Sequence, residues 1–165
     1  MTEIRGRFSG GQRPSALVSL PLTYERWIVV GTDFSDGAQN ALECALRMAE
    51  NSAAHVALVH AYEEEPGANA PDDPTPGLLA NLAQEIHASG ATRRGVHIEP
   101  LVRRGPPWDK ILNVATDYGA ELVVIGSSGQ RGSACGFPLG SVASRVLALS
   151  TRSVLVARPP ASQQH

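Results

Sequence analysis

Residues 126–141 read GSSGQRGSACGFPLGS, and no other stretch of the chain gathers so many groups able to hold an anion. Its five glycines follow the apolar run at 121–125 and lead into the helix-like stretch at 141–149. Glycine lets backbone N–H groups reach a phosphate oxygen with no Cβ in the way. Serine hydroxyls add donors, and the following helix contributes the positive end of its dipole. Ser141 and the N–H groups after Gly140 are placed for that last role, and Arg131 can balance phosphate charge. A Gly/Ser surface loop has the same composition, but the strand–loop–helix setting favours the phosphate reading.

The second chemical candidate is Asp33, at the end of Gly31-Thr32-Asp33 after the apolar run 27–30. A carboxylate there can accept from a ribose hydroxyl or an exocyclic amine. It can equally cap the next helix, a task Ser35 and Asp36 could share. Other phosphate signatures are missing: there is no G-x-x-x-x-G-K-[ST] and no G-x-G-x-x-G. Ser9-Gly10-Gly11 approaches the S-G-G-x-[DE]-S loop of ATP pyrophosphatases, but Arg13 stands at the acidic position and no apolar strand precedes it. No G-x-S-x-G elbow is present. His55, His60, His87, His97 and His165 lack metal-ligand spacing, so no bound metal is expected. Glu63, Glu64, Glu65, Asp72 and Asp73 read as a solvated acidic loop before they read as a Mg²⁺ site. Of the two cysteines, Cys44 flanks a helix stripe and Cys135 lies in the glycine segment, where N–H groups could lower a thiol pKa.

The elements that position these residues are legible from hydrophobic period. Strands are expected at 27–30, 55–62, 96–102, 121–125 and 153–157, the third broken by Pro100 and so an edge. Helices are expected between them. The first carries the stripe Ala38, Ala41, Leu42, Ala45, Leu46 and Ala49; the second Leu78, Leu79, Leu82, Ala83 and Ile86 up to Gly90. The third opens on Pro106 or Pro107 with Trp108, Ile111, Leu112 and Ala115, ending at Gly119; the fourth spans 141–149. Residues 63–77 read as an exposed loop. Strict alternation of strand and helix predicts an α/β fold: a doubly wound, Rossmann-like parallel sheet of five strands, order 3-2-1-4-5, helices on both faces. In that order the chain reverses between strands 1 and 4, so Asp33 and residues 126–129 meet where such sheets bind ligands.

Composition narrows the class. With 165 residues, 42% hydrophobic and 18% charged, the chain suits one domain with a core. A net charge of −2 with 5% aromatics offers no footprint for nucleic acid. No apolar run is long enough to span a bilayer, and lone cysteines suit the cytoplasm. The expected division is a flexible arm at 1–24, a domain at 25–158 and a tail at 159–165.

Gly126-x2-Gly129 and Gly140-Ser141, with Gly31-Thr32-Asp33-Phe34-Ser35, the strand 57–61 and the ending 153–156, resemble the universal stress protein family. Its signature G-x2-G-x9-G-[ST] lies between the fourth strand and last helix; here the spacer 130–139 has ten residues, and Gly31 stands where nucleotide-binding members often have Pro. The resemblance implies a site for ATP or another adenine nucleotide, with or without Mg²⁺. Gly31, Thr32 and Asp33 would meet ribose or adenine, and the Ala61 backbone would lie by the adenine. Gly126, Ser127, Ser128, Gly129, Gln130, Arg131, Gly140, Ser141 and Val142 would surround ribose and phosphates. It further implies a stress-response or regulatory protein with little or no catalysis, pairing as a homodimer through its fifth strand and answering to a regulatory protein partner. A non-nucleotide interaction module of the same fold and an adenylate-forming or -splitting enzyme are the alternatives.

Overall fold

The computed structural model describes residues 25–63, 73–129 and 139–158. The elements run β1 (Trp27–Thr32), α1 (Asp36–Ser52), β2 (His55–Tyr62), α2 (Thr75–Ser89), β3 (Ile98–Arg104), α3 (Pro107–Asp117), β4 (Leu122–Gly126), α4 (Ser141–Leu149) and β5 (Ser153–Ala157). The strands form one parallel sheet in the order β3-β2-β1-β4-β5, the α/β topology expected.

Alternate residues of each strand enter opposite cores. On one face Ile28, Val30, Val56, Leu58 and Val124 pack against the α1 stripe and Leu82 of α2. On the other Val29, Ala57, Val59, Val123 and Ile125 pack against Ile111, Val114 and Ala115 of α3 and Ala143 and Val146 of α4. The six apolar α1 positions expected from period are the six the helix buries. Leu46 is wholly buried, and cutting it to Ala would cost roughly 2–5 kcal/mol.

Two expectations need correction. The exposed loop was expected to reach residue 77, but α2 already begins at Thr75, with Pro76 in its permissive first turn. Of its five stripe residues only Leu82 is fully buried, and Leu79 is 38% exposed. The helix lies towards the β3 edge, where there is less sheet to cover. The third strand starts at Ile98 rather than Val96, because a 3₁₀ turn at Ala91–Arg94, bounded by left-handed Gly90 and Gly95, intervenes. It is nonetheless an edge strand, with Pro100 exposed. Residues 1–24 and 159–165, Ser9-Gly10-Gly11 and Cys135 lie outside the described residues; Cys44 is half-buried against the α1 core.

Candidate functional site

At the carboxyl end of β1 a chain of side-chain bonds sets the turn into α1. Thr32 Oγ1 accepts from Phe34 N at 3.1 Å, Asp33 Oδ1 accepts from Ser35 N at 3.1 Å, and Ser35 Oγ accepts from Ala38 N at 3.3 Å. Ser35 is therefore the helix cap and Asp33 acts one step before it, also accepting from Ser35 Oγ at 2.5 Å. Phe34 is held at φ 64°, a conformation that a bulky residue adopts only under such constraint. Its ring stacks on His60, whose Nδ1 lies 3.0 Å from the Thr32 carbonyl. A carbonyl only accepts, so Nδ1 carries the proton.

The glycines of the neighbouring β4 end are there for space. A Cβ on Gly126 would lie 2.7 Å from the Gly37 carbonyl carbon and oxygen, at the start of α1. A Cβ on Gly129 would run into Asp33 Oδ2. Gly31 sits beneath Ile111, whose Cδ1 would be 2.5 Å from an added Cβ. Against the β4 end, α4 begins at Ser141 behind an extended Gly140 that offers no side-chain cap. Gly140 N donates to Ser127 O at 2.7 Å, and the first i→i−4 bond of the helix is Ser144 N to Gly140 O at 3.0 Å. The N–H groups of Ser141, Val142 and Ala143 thus have no carbonyl partner within the helix, the arrangement that receives anions.

These edges enclose a cleft of about 630 Å³. Of the expected site residues, Gly31, Thr32, Asp33, Ala61, Gly126, Ser128, Gly129, Gly140, Ser141 and Val142 line it. Thr32 does so while its hydroxyl donates to Glu85 on α2, 3.1 Å from each carboxylate oxygen. Ser127 does not line it: the residue is 6% exposed and its N–H donates to Ala157 O. Gln130 and Arg131 lie outside the described residues. The sequence reading missed Glu63, the Pro106-Pro107-Trp108 turn and Arg145, all on the cleft wall. The signal was topological, since the β3–α3 turn stands at the same sheet end as Asp33. By its helical spacing Trp108 reads as part of a packing stripe. Its Nε1 is buried with no hydrogen-bond partner among the described residues, and the Arg145 guanidinium lies 5.8 Å from its ring centroid.

The cleft can bind a ligand with an anionic end. The described wall brings together the start of α4 with Arg145, the acidic residues Asp33 and Glu63, and the apolar residues Ile111 and Ile125. Among the described residues no three His, Cys, Asp or Glu side chains gather as a metal cage, and no helix is long and apolar enough to cross a membrane.

Comparison with known proteins places this architecture. The family model described as the universal stress protein family matches residues 25–158. The universal stress protein YxiE of Bacillus subtilis is 29% identical over 148 residues, covering 79% of this chain and 97% of its own. A universal stress protein of Thermus aquaticus is 31% identical over 134 residues, covering 79% and 97%. Among solved structures, a universal stress protein in complex with cAMP superposes with a TM-score of 0.63 at 25% identity, covering 82% of this chain and 98% of that one. With its sheet order, its glycine segment and a family match over most of its length, the chain belongs to the universal stress protein family.

Proposed function

We propose that this chain binds an adenine nucleotide, ATP in the first instance, in the cleft between the β1 and β4 ends. The observation that carries the reading is the meeting of Asp33, Gly129 and the uncapped start of α4 around one opening. Its volume of about 630 Å³ falls in the range of about 300–1,000 Å³ usual for small-molecule sites. The related protein solved with cAMP supports the ligand class.

In this reading the adenine lies towards Ala61 and the ribose hydroxyls meet the Asp33 carboxylate. The phosphates rest on residues 126–129 and the N–H groups of Ser141 and Val142, with Gln130 and Arg131 assigned as further phosphate contacts. Mg²⁺ accompanies the phosphates as part of the ligand. Asp33, the carboxylate among the assigned contacts, is given to the ribose, so binding rather than turnover is the activity, and occupancy changes what the 126–141 segment presents to a regulatory partner. The protein works in the cytoplasm in the response to stress, as a homodimer pairing through the β5 edge.

The test is to purify the protein, identify co-purifying nucleotide by mass spectrometry and titrate the emptied protein with ATP. Sub-millimolar ATP binding supports the reading. Absence of any adenine nucleotide binding would transfer the cleft to the interaction-module reading, which the ten-residue spacer at 130–139 favours. Rapid release of AMP and pyrophosphate would indicate an enzyme. Sedimentation of the wild type and of Leu155→Pro tests the dimer.

A further inference from the structure

We infer that Trp108 and Arg145 form a distal phosphate clamp that makes the cleft prefer nucleoside polyphosphates to monophosphates. The inference deepens the proposed nucleotide reading and rests on it.

Three observations carry it. First, among the described residues Trp108 Nε1 is the buried side-chain nitrogen without a hydrogen-bond partner, and its residue lines the cleft. An indole N–H is a donor only, and leaving one unsatisfied in a folded interior is unfavourable enough that such groups usually have a purpose. Second, Arg145 lies 5.8 Å from the Trp108 ring centroid and is the one cation on the described cleft wall. The ring thus restrains a guanidinium that is otherwise exposed. Third, Arg145 follows Ser141 by four residues on α4, so the two share a face of the helix. A phosphate held at the α4 start by the Ser141 and Val142 N–H groups would lead its next phosphate along that face towards Arg145.

A donor-only indole beside a guanidinium suits an anion, and neither can accept from the amino group of adenine. Arg145 can turn from the ring to a distal phosphate, and the indole N–H can donate to the same group. A monophosphate, ending at the α4 start, reaches neither side chain.

Affinities for ATP, ADP and AMP should be measured by calorimetry on the wild type, Trp108→Phe, which keeps the ring and removes the N–H, and Arg145→Gln, at an exposed position. Wild type should bind ATP at least tenfold more tightly than AMP. Each substitution should weaken ATP about three- to tenfold and change AMP by less than twofold. In ¹⁵N-labelled protein the Trp108 indole resonance, assigned by its loss in Trp108→Phe, should shift with ATP and stay in place with AMP. Equal losses for AMP and ATP, or unchanged ATP affinity in both variants, would overturn the clamp while leaving the nucleotide site standing. A wild type that binds none of the three nucleotides would overturn the site, and the clamp with it. Thermal melts separate these results from misfolding; if Trp108→Phe does not fold, Arg145→Gln and the indole shift decide the matter.

Discussion

The Asp33 carboxylate occupies the space that a Cβ on Gly129 would take, so the loops after β1 and β4 are fitted to each other across the sheet's reversal point. Asp33 divides its work there. Oδ1 receives the N–H and hydroxyl of Ser35, while Oδ2 faces Gly129.

That division makes a prediction about Asp33. Asp33→Asn keeps an oxygen for the Ser35 N–H, so its stability should stay within about 0.5 kcal/mol of wild type, while ATP affinity falls several-fold. Asp33→Ala removes the acceptor as well and should cost about 1 kcal/mol on top of the same affinity loss. Urea denaturation and calorimetric titration on the two variants separate the roles.

Gly126 should behave differently from Gly129. The obstacle to a Cβ at 126 is the Gly37 backbone at 2.7 Å, which cannot swing aside as a side chain can. Gly126→Ala should therefore push β4 and α1 apart and cost about 1–3 kcal/mol, seen as a lower urea midpoint with an unchanged slope.

The Glu85 carboxyl gives a pH dependence of definite sign. Burial pushes its pKa up, the Thr32 hydroxyl pulls it down, and the Asp33 charge adds to the rise. Its net displacement is upward, so the folded state holds the proton more tightly than the unfolded chain does. This contribution is fully present below the ordinary glutamate pKa and is lost as pH rises through the elevated one. Glu85→Gln should remove that dependence. The melting temperature of the variant relative to wild type should climb across the window and level off above it. Glu85 also lines a second cleft, about 690 Å³, between α1 and α2, and a Gln oxygen can still accept from the Thr32 hydroxyl, so the wall of the first cleft should stay in place.

Legibility in the sequence followed from how strongly each element's surroundings constrain it. α1 crosses the central strands with one face buried and one in water, and its six-residue stripe could be read without a structure. α2 covers the sheet's edge, so an equally apolar pattern leaves Leu79 and Ala83 exposed. The start of β3 was displaced because Gly90 and Gly95 adopt left-handed conformations around a short 3₁₀ turn, which period alone does not reveal. At the site, topology brought Asp33 and Gly129 together before any coordinates. Ser127 shows the limit of that reasoning: a serine in a glycine-rich segment reads as a ligand donor, yet its N–H and carbonyl tie β4 to β5 and α4. Trp108 shows the converse, since an aromatic at helical spacing reads as core, while only three dimensions show that its nitrogen lacks a partner among the described residues.

Nucleotide binding between the β1 and β4 ends stands or falls on a calorimetric titration of ATP into wild type and Gly129→Val. The added side chain intrudes on the Asp33 carboxylate at an exposed position, so the fold should hold while the site closes. Wild type should bind ATP with sub-millimolar affinity and the variant at least tenfold more weakly, a change of about 1.4 kcal/mol or more, at nearly unchanged melting temperature. Equal ATP affinity in the two proteins, or no binding by either, would contradict it.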